Sequence, residues 1–330
     1  MVSKAVRSQE FMIFCFLAVL WTAVGRINEG FTSAANLLTI IKGLSFYGII
    51  AIGMSFTMIS GDIDLSVGSM AAFGSVFSCW MMIVTQCFGM MDGGGEWLGI
   101  ALCILATMAV ACVIGALNAF MVVKLNLPPF IATVAMKYSL QGLVMMITGG
   151  TPVYPLPDSF NAFGKAGIDF GSNTLSVFFL IMLALMAAAE VMLRKTVYGR
   201  NIYATGSNQV AAKLAGINTH RVRFANYIIL AALAAFSGSL NAAYIGQGST
   251  QIGMNWELMV IATCAMGGVK MGGGKGGMLG VLLGLFIINS LNNVIVMIGV
   301  NTFLQDVLIG VVLIFVVVFE KYRENRKVRA

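Results

Sequence analysis

Charge is nearly absent from long stretches of this chain, and where Lys and Arg do appear they fall on alternate sides of the apolar runs. A bilayer core of ~30 Å is crossed by about 20 apolar residues of helix. A soluble domain needs a solvated shell, and with 10% of the 330 residues charged and 59% hydrophobic the chain cannot supply one. With a mean hydropathy of +0.91, it reads as a single all-α polytopic transmembrane helix bundle over 1–330, most of its surface facing lipid.

Ten runs are apolar enough to span: 11–25, 40–60, 67–89, 97–123, 128–148, 174–193, 224–245, 257–269, 277–298 and 302–319. The first and eighth are short, which suits a tilted, partly re-entrant or flank-extended helix. If both termini are cytoplasmic, 16 of the 20 Lys and Arg residues lie on the cytoplasmic side, with Arg26, Lys42 and Lys165 outside and Lys137 within a span. That asymmetry is the positive-inside pattern, so the net charge of +7 reports orientation and leaves no basic face for nucleic acid. Lys4 and Arg7 before the first run, with Ala23-Val24-Gly25 behind it, also resemble a cleavable signal. The charge pattern favours a retained first helix.

Two segments interrupt the rhythm. Residues 149–173 hold three of the five prolines and form the largest extracytoplasmic loop, a contact surface for a partner on that side. Residues 194–224 form the largest cytoplasmic loop, where Ser207-Asn208 precedes a helix of about two turns stopped by Gly216. GDIDLSVGSMAAFGS (61–75) and IGQGSTQIGMNWELMVIA (245–262) each place glycines and an acid before an apolar span. In a ten-span chain these junctions lie on opposite sides, the arrangement of an inverted repeat of five spans plus five.

Most chemistry is excluded. The run MGGVKMGGGKGG (266–277) has Gly276 after Lys275 where a P-loop needs Ser or Thr, so the chain offers no nucleotide site and binds no cofactor of its own. No hydrolase motif is present. Cys15, Cys79, Cys87, Cys103, Cys112 and Cys264 are scattered through apolar runs as small hydrophobes, and no metal set is expected. The lone histidine, His220, is expected to be a solvated loop residue, and Trp21, Trp97 and Trp256 to mark an aromatic belt.

Ionisable groups within a membrane cost ~2.5 to 3.5 kcal/mol each at a helix centre and need a reason. Lys137, with Gln141 one turn on, either lines a polar pathway, pairs with an acid such as Asp306 or Glu257, or snorkels from its span. Asp62 and Asp64, with Ser66 close behind, line a passage or cap the following span, where a carboxylate meets the positive end of the helix dipole. Asn289, Asn292 and Asn293, with Asn118, either hydrogen-bond a sugar or join helices.

The segments GDIDLSVGSM (61–70), LNLPPFIATVAM (125–136), YGRNIYATGSNQVAAKLAGINTHRVRF (198–224), GGVKMGGGKGGMLGVLLG (267–284) and LNNVIVMIGV (291–300) occur in an order that resembles the permease subunits of bacterial ABC importers of the ribose, xylose, galactose and autoinducer-2 type. Departures are Asp62 in place of the usual Gly, Val269-Lys270 in place of Thr-Ser, and Val294 after Asn293. The resemblance implies a multi-pass protein of the bacterial inner membrane that carries a small polar solute, a monosaccharide, by alternating access. It implies three partners: an ATP-binding cassette subunit that hydrolyses ATP, an extracytoplasmic solute-binding protein and a second permease chain. Within 194–224, the loop from Asn208 to Gly216 is then expected to insert into the cassette subunit, with Ala211, Ala212 and Leu214 as a small-residue face and Arg200, Lys213 and Arg221 meeting acidic groups at its rim. The rival is a stand-alone secondary transporter or channel, for which Asp62 and Asp64 are the only candidate ion-coupling carboxylates.

Overall fold

The computed structural model describes residues 9–87, 95–171 and 173–297, with 299, 307, 310, 311 and 314. The tenth apolar run (302–319), Asp306 and both termini lie largely or wholly outside the described residues. The helices are α1 (Gln9–Ile27), α2 (Ala34–Ile59), α3 (Val67–Cys87), α4 (Glu96–Ala119, continued by a π turn Phe120–Lys124), α5 (Pro129–Thr148), α6 (Asp158–Lys165), α7 (Val177–Lys195), α8 (Val197–Ser207), α9 (Gln209–Leu214), α10 (Thr219–Ile245), α11 (Trp256–Met266) and α12 (Met278–Met297). A short antiparallel hairpin, β1 (Gly167–Phe170) and β2 (Asn173–Ser176), is the only sheet among the described residues.

Among the described residues seven helices are long and apolar enough to cross a membrane: α2, α3, α4 with its π turn, α5, α7, α10 and α12. Residues 13–27 and α11 are apolar but shorter. At ~1.5 Å per residue, the 11 residues of α11 reach about half the depth of a ~30 Å hydrocarbon core. The eighth apolar run is thus helical over only part of a span's length, and the chain before it, 246–255, is not helical.

α10 is the axis of the bundle, packed on α2, α3 and α4. Small residues allow this, because backbones in a membrane bundle gain by close approach. Gly53 of α2 faces the Leu230 backbone, and Gly115 of α4 faces Ala231 and the Tyr227 carbonyl. Gly74 of α3 faces Ala235, and Gly238 of α10 faces Ala71. Basic segments far apart in sequence gather at one end of the bundle: the His220 ring lies 3.2 Å from the Val123 carbonyl, and Gly206 abuts Gly273 and Gly274. His220 is therefore half-buried against the end of α4, where a solvated loop residue was expected. Its place in the first turn of α10, capped by Asn218, turns the ring inward.

The two breaks meet inside the bundle. α2 ends at Gly61 (φ 95°) and α10 at Gly246 (φ 82°), each in the left-handed conformation that a Cβ disfavours. The second break runs beside α3 from Cys79 and Ser75, next to Gly248, to Gly68, next to Gly253. A Cβ on either Gly68 or Gly253 would overlap the other's carbonyl. Gly68→Ala should therefore cost ~1 to 3 kcal/mol through backbone displacement, lowering the unfolding temperature in detergent. Gly142→Ala, inside α5 where nothing lies within 4 Å, should not lower it and should raise it slightly through helix propensity.

Candidate functional site

The site is built on the first break. Asp64 Oδ1 accepts the Ser66 N–H at 2.7 Å and the Ser66 hydroxyl at 2.6 Å, just before α3 begins. Asn118 Nδ2 of α4 donates to Asp64 Oδ2 at 3.2 Å and to Ser66 Oγ at 2.9 Å. The Leu65 N–H is taken by Thr133 Oγ1 of α5 at 3.1 Å. Asp64 thereby closes a turn on Ser66, the residue just before α3.

Asp62, two residues earlier, does something else. Its Oδ2 and Oδ1 accept Arg223 Nε–H and Nη2–H at 2.6 and 2.7 Å, a fork-to-fork pair. In the sequence Arg223 counted only as a positive-inside charge, and nothing local pointed to its partner.

At the crossing of the breaks, Lys137 of α5 is ion-paired to Glu257, the second residue of α11. Of the two acids named as partners for Lys137, Glu257 is the one it meets, and Asp306 lies outside the described residues. The lysine side chain stays 28% exposed and the glutamate 3%, so the pair has a buried end and an open end. A Cβ on Gly68 would overlap Glu257 Oε2, which places this pair directly beside the start of α3. Trp256 packs on Tyr47 with ring centroids 4.7 Å apart. It sits at the crossing, and not in a belt at the end of a span, because α11 begins inside the bundle.

The remaining polar candidates divide. Asp62, Asp64, Ser66, Asn118 and Lys137 belong to this region, and Gln141 lies exposed one turn along α5. Asn293 exchanges hydrogen bonds with Asn36 at 2.9 and 2.8 Å, and Asn289 donates to the Leu285 carbonyl of its own helix at 2.9 Å. These two work at the α2–α12 contact, and Asn292 is half-buried beside them. Among the described residues no group of side chains has the makeup of a metal site.

At the basic end, Asn208 caps α9 by accepting the Ala211 N–H at 3.0 Å, and Gly216 (φ 83°) ends the turn that follows. Arg200, Ala211, Lys213, Gly216 and Arg221 are exposed. Ala212 is buried at 5% and faces its own chain, which corrects its place on the expected face. The outward side chains are Val210 and Leu214, the latter 86% exposed. Position 210 was missed because a helix this short has no periodicity from which to read its faces.

Residues 36–317 match the family model for the permease component of branched-chain amino acid transport systems. The chain belongs to this permease family. It is similar to the galactose/methyl galactoside import permease protein MglC of Haemophilus influenzae, at 31% identity over 97% of this chain and 96% of that protein. It is also similar to the ribose import permease protein RbsC of Bacillus subtilis, at 31% identity over 93% and 91%, and to the probable ABC transporter permease protein YphD of Escherichia coli, at 31% over 93% and 88%. No solved structure matches. The protein is a multi-pass membrane permease, a transport component and not an enzyme.

The ion pair at the crossing is directly testable in this permease. Lys137→Met should leave Glu257 buried and unpaired and destabilise the protein by ~3 to 5 kcal/mol, read as thermal unfolding in detergent. Adding Glu257→Gln should restore most of the loss. A snorkelling lysine would make the single variant neutral.

Proposed function

We propose that this permease is the membrane subunit of an ATP-driven importer that passes a small polar solute, a monosaccharide, inward by alternating access. The observation that carries the reading is on α5. Halfway along this span it presents Tyr138, Ser139, Gln141 and the open side of Lys137 at the surface, whereas the exposed faces of α4 and α7 are apolar, with Leu98, Leu102, Leu105, Val110, Val113 and Leu117 on one and Leu180 and Val191 on the other. Hydroxyl, amide and ammonium groups at that depth suit a polar passage and not lipid. The galactose and ribose permeases among the relatives support a sugar, whose hydroxyls match those groups.

The passage runs along α5 past the Lys137–Glu257 pair and is closed on its other side by a second permease chain. Ten spans with both termini cytoplasmic suit the gathering of basic segments at one end. The paired breaks, each following a long helix and meeting at Gly68 and Gly253, support an inverted repeat, an architecture that places solute sites at such junctions. The membrane is the bacterial cytoplasmic one. A solute-binding protein delivers the sugar to 149–173, while the chain itself binds no cofactor.

The cassette subunit that hydrolyses ATP docks on α8–α9, with Val210 and Leu214 as apolar anchors ringed by Arg200, Lys213 and Arg221. Leu214→Asp should weaken co-purification of the cassette subunit by more than 30-fold, equivalent to the ~2 kcal/mol of an interface anchor, while membrane insertion persists. Ala212→Asp is expected to unfold the loop itself, since that side chain is buried in its own chain. In proteoliposomes, uptake should require the cassette subunit, the binding protein and ATP together. Uptake by this chain alone, driven by an ion gradient, would overturn the proposal in favour of a secondary transporter.

A further inference from the structure

The cassette-facing helices are joined to the end of α2 at two points, and α10, which follows them in the chain, holds the break beyond α2 at a third. Tyr198 of α8 donates to Asn226 Oδ1 at 2.6 Å, and Asn226 Nδ2 donates to the Phe56 carbonyl at 3.1 Å and to Ser60 Oγ at 2.9 Å. Gly206 of α8 lies against the Ile59 carbonyl, which also accepts the Gly274 N–H at 2.8 Å. The third point is the Arg223–Asp62 fork, and it differs in kind. The first two hold the last turns of α2, whereas Asp62 lies beyond the helix, in the break that leads into α3.

From Asp62 the contacts run onward without a gap. Two and three residues later Asp64 and Leu65 are held by Asn118 of α4 and Thr133 of α5. Two residues after Ser66, Gly68 abuts Gly253 and Glu257, the partner of Lys137. On the other side, Arg223 is five residues beyond Asn218, the cap that separates α10 from the α8–α9 segment. A guanidinium–carboxylate fork fixes distance and orientation together. With side-chain exposures of 14% and 4%, water offers neither partner a full replacement.

We propose that the Asp62–Arg223 pair is the positioning element that transmits movement of the cassette-facing helices to the break at the crossing, so that its loss separates ATP hydrolysis from solute passage. The proposal rests on the docking of the cassette subunit at α8–α9. Neither residue touches the solute in this scheme. The pair sets where α3 begins, and through Gly68 where the Lys137–Glu257 pair stands.

The test uses the full chain reconstituted with its cassette subunit and binding protein, reading three quantities: cassette retention, ATP hydrolysis and solute taken up per ATP hydrolysed. Asp62→Asn with Arg223→Gln removes both charges and keeps amides that can hydrogen-bond, which protects folding. This double variant should retain the cassette subunit and continue to hydrolyse ATP while uptake per ATP falls at least tenfold. Arg223→Lys, with its charge kept and its fork lost, should fall between it and the wild type. Unchanged uptake per ATP in the assembled double variant would overturn the proposal. So would a failure of both variants to assemble, which would mark the pair as structural only. Leu214→Asp in the same preparation keeps the two readings apart: cassette retention there removes the docking site at α9, whereas the uptake ratio of the pair variants judges the pair.

Discussion

A backbone that leaves the helix inside a membrane bundle must find a partner for each freed N–H and C=O, because hydrocarbon offers none. Both breaks in this permease meet that demand with side chains and short turns. In the first, Thr57 O takes the Asp62 N–H, Thr133 Oγ1 that of Leu65 and Asp64 that of Ser66. In the second, Val153 and Gly248 exchange both backbone bonds, Ser75 Oγ takes the Ser249 N–H, and Ser249, Gln251 and Gly253 close successive turns back towards α11. Three buried polar side chains from other helices, Asn118, Thr133 and Ser75, find their partners in these two segments. The breaks, their glycines and the polar cluster are thus one structural device.

The same device concentrates charge where charge is costly. Asp62 and Glu257 are both nearly enclosed, and each has a cation from a distant helix. Buried pairs of this kind contribute little net stability against a hydrophobic replacement, yet removing one partner is severe. They act as registers more than as glue. Each fixes a helix start relative to another element: Asp62 sets α3 against α10, and Glu257 sets α11 against α5.

Much of the outline was legible in the sequence. Apolar runs separated by charge located seven long helices, though α2 and α10 begin six and five residues before the runs that marked them, and the Asn208 cap and Gly216 stop appear where their chemistry placed them. The resemblance carried by GDIDLSVGSM and the 198–224 segment agreed with the family match. Less legible were Ala212, assigned outward but buried, and His220 and Trp256, given surface roles and found packed. All three sit on short helices or at helix starts, where too few turns exist for a periodicity to show which way a side chain points.

What the sequence determined by itself is the class of solvent around the chain and the end at which its basic loops collect, since both depend on composition summed over tens of residues. What only the tertiary structure decided is which residues meet. Arg223 and Asp62 are 161 positions apart, Lys137 and Glu257 120. In a soluble helix an apolar stripe shows the face that turns inward. In this bundle lipid-facing and core-facing surfaces are both apolar, so the pattern that would orient each helix is missing, and the partners of the few charged residues emerge only when the helices are packed.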